Sequence, residues 1–177
     1  MAHLDRKIQL SKITDKKSAF LLGPRQTGKT SAIRNQLPHA KVINLLLNDE
    51  FLAFSQNPKE LRQRITKNDR LVVIDEIQRL PDLLNEVQNL IETQGVKFLL
   101  TGSSACKLRR QGVNLLGGRA RQYYMHPFSS SELKEQFDLL KALNNGLIPS
   151  IYDSDDPTHD LSSYIGLYLK EEIAAEA

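Results

Sequence analysis

Gly23-Pro24-Arg25-Gln26-Thr27-Gly28-Lys29-Thr30, or GPRQTGKT, decides how the rest of this sequence is read. It fits the pattern GxxxxGK[ST], which carries meaning when a strand precedes it and a helix follows. Both are expected here. Residues 18–22 (SAFLL) form a short apolar run stopped by Gly23 and read as a buried strand. Residues 28–37 place Ala32, Ile33 and Leu37 on one side, with Pro38 as the stop, and read as a helix. In this setting the glycines let the backbone curl around phosphate oxygens. The amides from about residue 26 to 30 converge at a helix N-terminus, where the dipole favours negative charge. Lys29 is then the point charge for the β- and γ-phosphates, solvated while the site is empty, and the Thr30 hydroxyl is offered to Mg²⁺. Pro24, Arg25, Gln26 and Thr27 form the body of the loop, and Ser31 follows it.

Working outward, the chain alternates strands and helices. Residues 41–47 (KVINLLL) are expected as a second strand. Asn57-Pro58-Lys59-Glu60 looks like a helix start, with Asn57 as the cap and the helix running to about Lys67. Residues 70–75 (RLVVID) predict a third strand covered on both faces. Leu83, Val87, Leu90 and Ile91 predict a helix over 82–94, ended by Gly95. Residues 96–101 (VKFLLT) and 121–125 (RQYYM) predict the last two strands. The expectation is an α/β three-layer sandwich with a parallel five-stranded sheet. Ser129-Ser130-Ser131-Glu132 has capping-box spacing and predicts a helix to about Leu143, broken by Asn144-Asn145-Gly146. Asp160 is expected to cap a final helix along Leu161, Ile165, Tyr168 and Leu169, still running near Ala177. The division that follows is a P-loop core over residues 1–126 and a helical extension or partial lid over 127–177.

Leu71-Val72-Val73-Ile74-Asp75-Glu76 is an apolar strand ending in two acids. Such a strand delivers carboxylates to the sheet edge where open α/β folds bind ligands. Asp75 is placed to hold Mg²⁺ and Glu76 to polarise an attacking water as general base. A small-molecule kinase does not need that second acid, and a GTPase would carry an Asn-Lys-x-Asp motif, which the sequence lacks. ATP is favoured. Gln78, Arg79 and Pro81 read as exit-loop residues. After the fourth strand come Thr101-Gly102-Ser103-Ser104; a hydroxyl there would touch the γ-phosphate or the water, or else cap a helix. Ser103 and Ser104 are preferred to Thr101, which still belongs to the strand. Arg119, on the turn Gly117-Gly118-Arg119, is the candidate catalytic arginine, in its own or a neighbouring site. A solvated surface arginine is the alternative.

The net charge is +3, but residues 97–131 hold six Lys or Arg and no acid, while 132–177 hold three Lys against ten acids. One face is therefore expected to meet an anion. Two are open: a neighbouring γ-phosphate, or a DNA backbone met by Lys107, Arg109 and Arg110. No apolar run approaches the roughly 20 residues of a membrane span. There is no signal-peptide h-region, and the single Cys106 has no intrachain partner. A cytoplasmic globular protein is expected. His3, His39, His126 and His159 lack ligand spacing, and the acids Asp153, Asp155, Asp156 and Asp160 lack the glycine and terminal Glu of an EF-hand loop.

GPRQTGKT, LVVIDEIQ, FLLTGSSA, LLGGR followed by HPFSSSEL, and SYIGLYLKEEI together resemble one group. These are the AAA+ ATPases of bacteria and archaea whose N-terminal ATPase domain precedes a C-terminal domain of unknown function. The resemblance covers residues 18–173. It implies ATP binding at Gly23–Thr30, Mg²⁺ at Thr30 and Asp75, and a catalytic Glu76. It also implies that the chain continues beyond Ala177 into a domain for which a nuclease-like fold is suspected. The functional expectation is Mg²⁺-dependent hydrolysis of ATP to ADP that drives or resets an attached effector domain, weakly in residues 1–177 alone. The alternative is a nucleotide-gated switch that assembles as a homo-oligomer or binds DNA with negligible turnover. Phosphoryl transfer to a small acceptor is the third reading.

Overall fold

A computed structural model describes residues 4–66, 68–103 and 116–168. Five parallel strands form its one sheet: β1 (Ser18–Leu22), β2 (Lys41–Asn44), β3 (Leu71–Asp75), β4 (Lys97–Gly102) and β5 (Ala120–Tyr124). Their order is β2-β3-β4-β1-β5. β4 thus lies between the strand that ends in the glycine loop and the strand that ends in Asp75, with Leu22 opposite Gly102 and Ile74 opposite Leu100.

Alternation along each strand sends successive side chains to opposite faces, and both faces are covered. Phe20, Leu22, Val72, Ile74, Phe98 and Leu100 pack on one side with Phe54, Leu61, Val87 and Leu90. These last come from α3 (Asn48–Gln56), α4 (Glu60–Arg64) and α5 (Leu83–Gln94). Ala19, Leu21, Val73 and Leu99 face the other way, against Leu10, Ala32 and Ile33. Those belong to α1 (Leu10–Asp15) and α2 (Lys29–Gln36). This is the expected three-layer sandwich.

Several boundaries differ from expectation, for local reasons. β2 stops at Asn44 because the Asn44 side chain accepts from the Leu46 amide at 2.9 Å and turns the chain. α3 then fills a stretch in which no helix was expected; of its residues only Phe54 is buried, so it shows little periodicity. Asn57 does not cap by its side chain. Its carbonyl accepts from Glu60 N at 3.0 Å, and α4 is shorter than expected.

Gly95 ends α5 in the left-handed conformation, φ 68, as read. The capping box of Ser129 and Glu132 is also present. However, its helix α6 (Ser130–Leu133) ends at once, with Lys134 at φ 52. Asp138 starts a new one, α7 (Leu139–Asn145), by accepting from Lys141 N at 3.0 Å. α8 (Pro149–Tyr152) and α9 (Pro157–Tyr168) follow. Asp160 sits in the first turn of α9 rather than capping it; Asp156 accepts from His159 N at 3.1 Å instead. Residues 169–177, including Leu169, lie outside the described residues. Among those described, no helix is long and apolar enough to cross a membrane.

Candidate functional site

The loop leaving β1 is held by backbone geometry that side chains would spoil. Gly23 has φ 147, and a Cβ there would lie 2.1 Å from the Met125 carbonyl oxygen. Gly28, at φ 89, precedes α2. Gln26 also adopts a left-handed φ of 61. Thr27 is fully buried and donates to the Pro24 carbonyl at 2.9 Å.

Lys29 departs from the sequence reading. It is buried, not solvated, and its ammonium donates to the Gly23 and Pro24 carbonyls at 2.6 and 2.8 Å. Phosphate oxygens bound in the loop would compete with those carbonyls for the amine.

Thr30 and Asp75 meet although 45 residues separate them: the Thr30 hydroxyl donates to Asp75 Oδ2 at 3.0 Å. Register explains the meeting, since the C-terminal ends of β1, β4 and β3 share one edge. Asp75 is buried, and its other oxygen accepts from the hydroxyl of Thr101, itself fully buried. Thr101 also accepts from the Glu76 amide at 3.1 Å. The strand residue passed over in favour of Ser103 and Ser104 is therefore the one wired to both acids. Ser103 lies 3.4 Å from the Gln78 side-chain nitrogen, and Ser104 lies outside the described residues.

Glu76 sits in the left-handed region, φ 62, and opens a 3₁₀ turn over Ile77–Arg79. Non-glycine residues held there are uncommon and cluster at functional positions. Glu76 shares a cleft of about 570 Å³ with Arg25, Gln26, Gly28, Lys29, Thr30 and Ser31. Pro149 and Ser150 of α8 form its far side, and the Ser150 hydroxyl donates to Gln26 Oε1 at 2.6 Å. A larger cleft, about 860 Å³, lies at the opposite sheet edge around Ile65, Arg70 and Lys97 and holds none of the motif residues. Size alone favours it, but convergent charged groups and unusual backbone favour the smaller one.

Two further residues escaped the sequence reading. The Gln78 amide donates to the Glu76 carboxylate. Arg6, in the segment before α1, donates to the Thr27 carbonyl, to His126 O at 2.6 Å and to Glu132 at 3.0 Å. Burial pushes the Glu132 carboxyl up, but the Lys7 amide, Arg6 and the Ser129 amide outweigh it and hold it down at about 2. No spacing in the sequence marks Arg6, because its partners come from residues 27 and 126–132.

Arg119 is placed elsewhere. It precedes β5, whose first residue Ala120 pairs with Ser18 at the start of β1. The loop lies at the other end of that five-residue strand, about 16 Å away. Arg119 instead pairs with Glu92 at 2.6 Å. Arg119 does not line the cleft that holds Lys29 and Glu76. Lys107, Arg109 and Arg110 lie outside the described residues.

No curated protein matches the sequence significantly. Among solved structures, the Walker-type ATPase paby2304 of Pyrococcus abyssi is similar with a TM-score of 0.61 at 15% identity, over 98% of this chain and 74% of that one. The replication initiator DnaA, solved with AMPPCP and single-stranded DNA, gives 0.55 at 18% identity, over 91% and 62%. Likeness at these identities speaks for the fold. The family model described as an AAA domain, AAA_14, matches residues 15–134, well over half of the 177. This chain therefore belongs to that family and is an AAA-type P-loop ATPase domain.

Proposed function

We propose that the domain binds ATP with Mg²⁺ at the loop Gly23–Thr30 and hydrolyses it to ADP and phosphate. The observation that carries the reading is the Thr30–Asp75 hydrogen bond, 3.0 Å, with Glu76 on the wall of the same cleft. A hydroxyl and a carboxylate are hard oxygen donors, the set Mg²⁺ takes beside nucleotide phosphates. Thr30 and Asp75 would hold the ion, which supplies charge neutralisation on the phosphates. The loop amides and Lys29 bind and orient the phosphates. Glu76 accepts the proton of the attacking water, a role worth about 10²–10⁴ in rate.

Coupling to an attached effector is supported by the helices after β5. Ser150 touches Gln26 of the loop, and Arg6 joins Thr27 to Glu132. A division near residue 126 into ATPase core and helical lid belongs to the same proposal.

Steady-state phosphate release and nucleotide binding, measured on the longest available form of the protein, test it. Glu76→Gln should bind ATP like wild type and turn over at least about 10² more slowly. A wild-type protein that binds ATP and releases no phosphate would instead make the domain a nucleotide-gated switch.

A further inference from the structure

Gln78 occupies a position that the cleft does not explain. It does not line the cleft, and its side-chain nitrogen meets Glu76 and Ser103 instead. The left-handed residue Glu76 reverses the chain, Ile77 is fully buried in the core, and the 3₁₀ turn brings Gln78 back beside the preceding carboxylate. Its side-chain nitrogen reaches the Glu76 carboxylate and Ser103 Oγ, the latter at 3.4 Å. The amide orientation follows from chemistry: a carboxylate accepts, so nitrogen must face it. That choice leaves Gln78 Oε1 buried with no hydrogen-bond partner among the described residues. Buried polar atoms are rarely left so, because each costs about 1–3 kcal/mol. A packing role alone would be served better by an apolar side chain. The neighbouring residue is matched to the amide as well: a Cβ on Gly102 would lie 2.6 Å from that same oxygen.

We propose that Gln78 is the positioning residue for the general base. Its amide fixes the Glu76 carboxylate at the cleft wall and ties it to Ser103 at the end of β4. Gln78 does not line the cleft and acts through Glu76, so the proposal rests on the reading of Glu76 given above. Ser103 then serves the site through Gln78.

Single-turnover and steady-state hydrolysis by Gln78→Met test this, alongside ATP affinity and thermal midpoint. Methionine keeps the length and packing of the stem and loses the amide. Expected is a kcat lower by about 10- to 100-fold, as for a misplaced catalytic group, with ATP affinity and thermal midpoint near wild type. Gly102→Ala, which displaces the amide without altering Gln78, should show the same split. In a Glu76→Gln background, Gln78→Met should add nothing, because both changes remove one function. Wild-type kcat in Gln78→Met, with Glu76→Gln slow, would overturn the inference and spare the base. Wild-type turnover in Glu76→Gln would overturn both. Equal loss of affinity and rate in Gln78→Met would make the residue structural and refute the positioning role.

Discussion

Arg6→Ala is the sharpest test of how the loop is held. The Arg6 and Glu132 side chains are each 7% exposed, so their 3.0 Å pair is largely out of water. Arg6 also supplies donors to the Thr27 and His126 carbonyls and lies 5.2 Å from the centre of the Phe128 ring. Removing one partner of a buried pair costs about 3–5 kcal/mol, against about 0–1 for a surface pair. Glu132 would keep the Lys7 amide at 2.9 Å and the Ser129 amide and hydroxyl, each at 3.0 Å, so the low end, about 3 kcal/mol, is expected. Domains are stable by only about 5–15 kcal/mol. With a urea slope of about 2 kcal/mol per molar, the midpoint at pH 7 should fall by about 1.5 M.

Acid gives a second reading of the same pair. Glu132 sits at about 2, below its ordinary 4.5; burial raises it, and the Lys7 amide, Arg6 and Ser129 amide together lower it further. A depressed carboxylate stabilises the fold above its unfolded pKa and loses that contribution as pH falls through the folded one. Wild type should therefore lose stability between roughly pH 5 and pH 2 as this group protonates. Arg6→Ala should lose less over the same window, since part of the depression is already gone. A midpoint shift below about 0.3 M at pH 7, together with an unchanged acid profile, would refute the account of a desolvated clasp.

Lys29→Ala should abolish most ATP affinity. Because the amine also bonds the Gly23 and Pro24 carbonyls, it should lower the thermal midpoint of the empty domain by a few degrees as well; calorimetry without nucleotide checks this. Thr101→Val keeps the shape but strands the Glu76 amide and one Asp75 oxygen, so denaturation should show a loss of about 1–3 kcal/mol, and phosphate release should fall with it. Arg119→Ala should leave turnover unchanged in a monomer. If turnover drops and mixing with Lys29→Ala protein restores it, Arg119 acts in a neighbouring subunit's site.

What the sequence showed and what it hid divide by range. GPRQTGKT could be read because the chemistry of the loop is local: left-handed backbone at Gly28, close approach at Gly23, and a helix immediately after. Asp75 and Glu76 followed from an apolar strand ending in acids. Thr101 was passed over because its contacts come from register. Its hydroxyl meets Asp75 only because β4 runs beside β3, and within FLLTGSS it looks like one more strand residue. Gln78 depends on the left-handed turn at Glu76, which no residue type announces there. α3 buries only Phe54 and carries exposed Leu52, too faint an amphipathic signal to stand out. The helix expected over 130–143 ends at Leu133, where Lys134 turns to φ 52, and Asp138 caps a new one, with Phe137 against the cluster of Phe128, Leu133 and Tyr152, packing that local sequence does not show.

The Asp75 carboxylate has a consequence for how occupancy of the loop is felt. One oxygen accepts from Thr30, on the helix that follows the phosphate loop; the other accepts from Thr101, which in turn holds the Glu76 amide. A cation drawn to Thr30 and Asp75 competes with the first of these bonds and withdraws charge from the second. The Thr101 hydroxyl cannot weaken its bond to Asp75 without changing what it offers Glu76 N–H. The left-handed backbone at Glu76, φ 62, is thus anchored through the same carboxylate that meets Thr30, by way of the Thr101 hydroxyl.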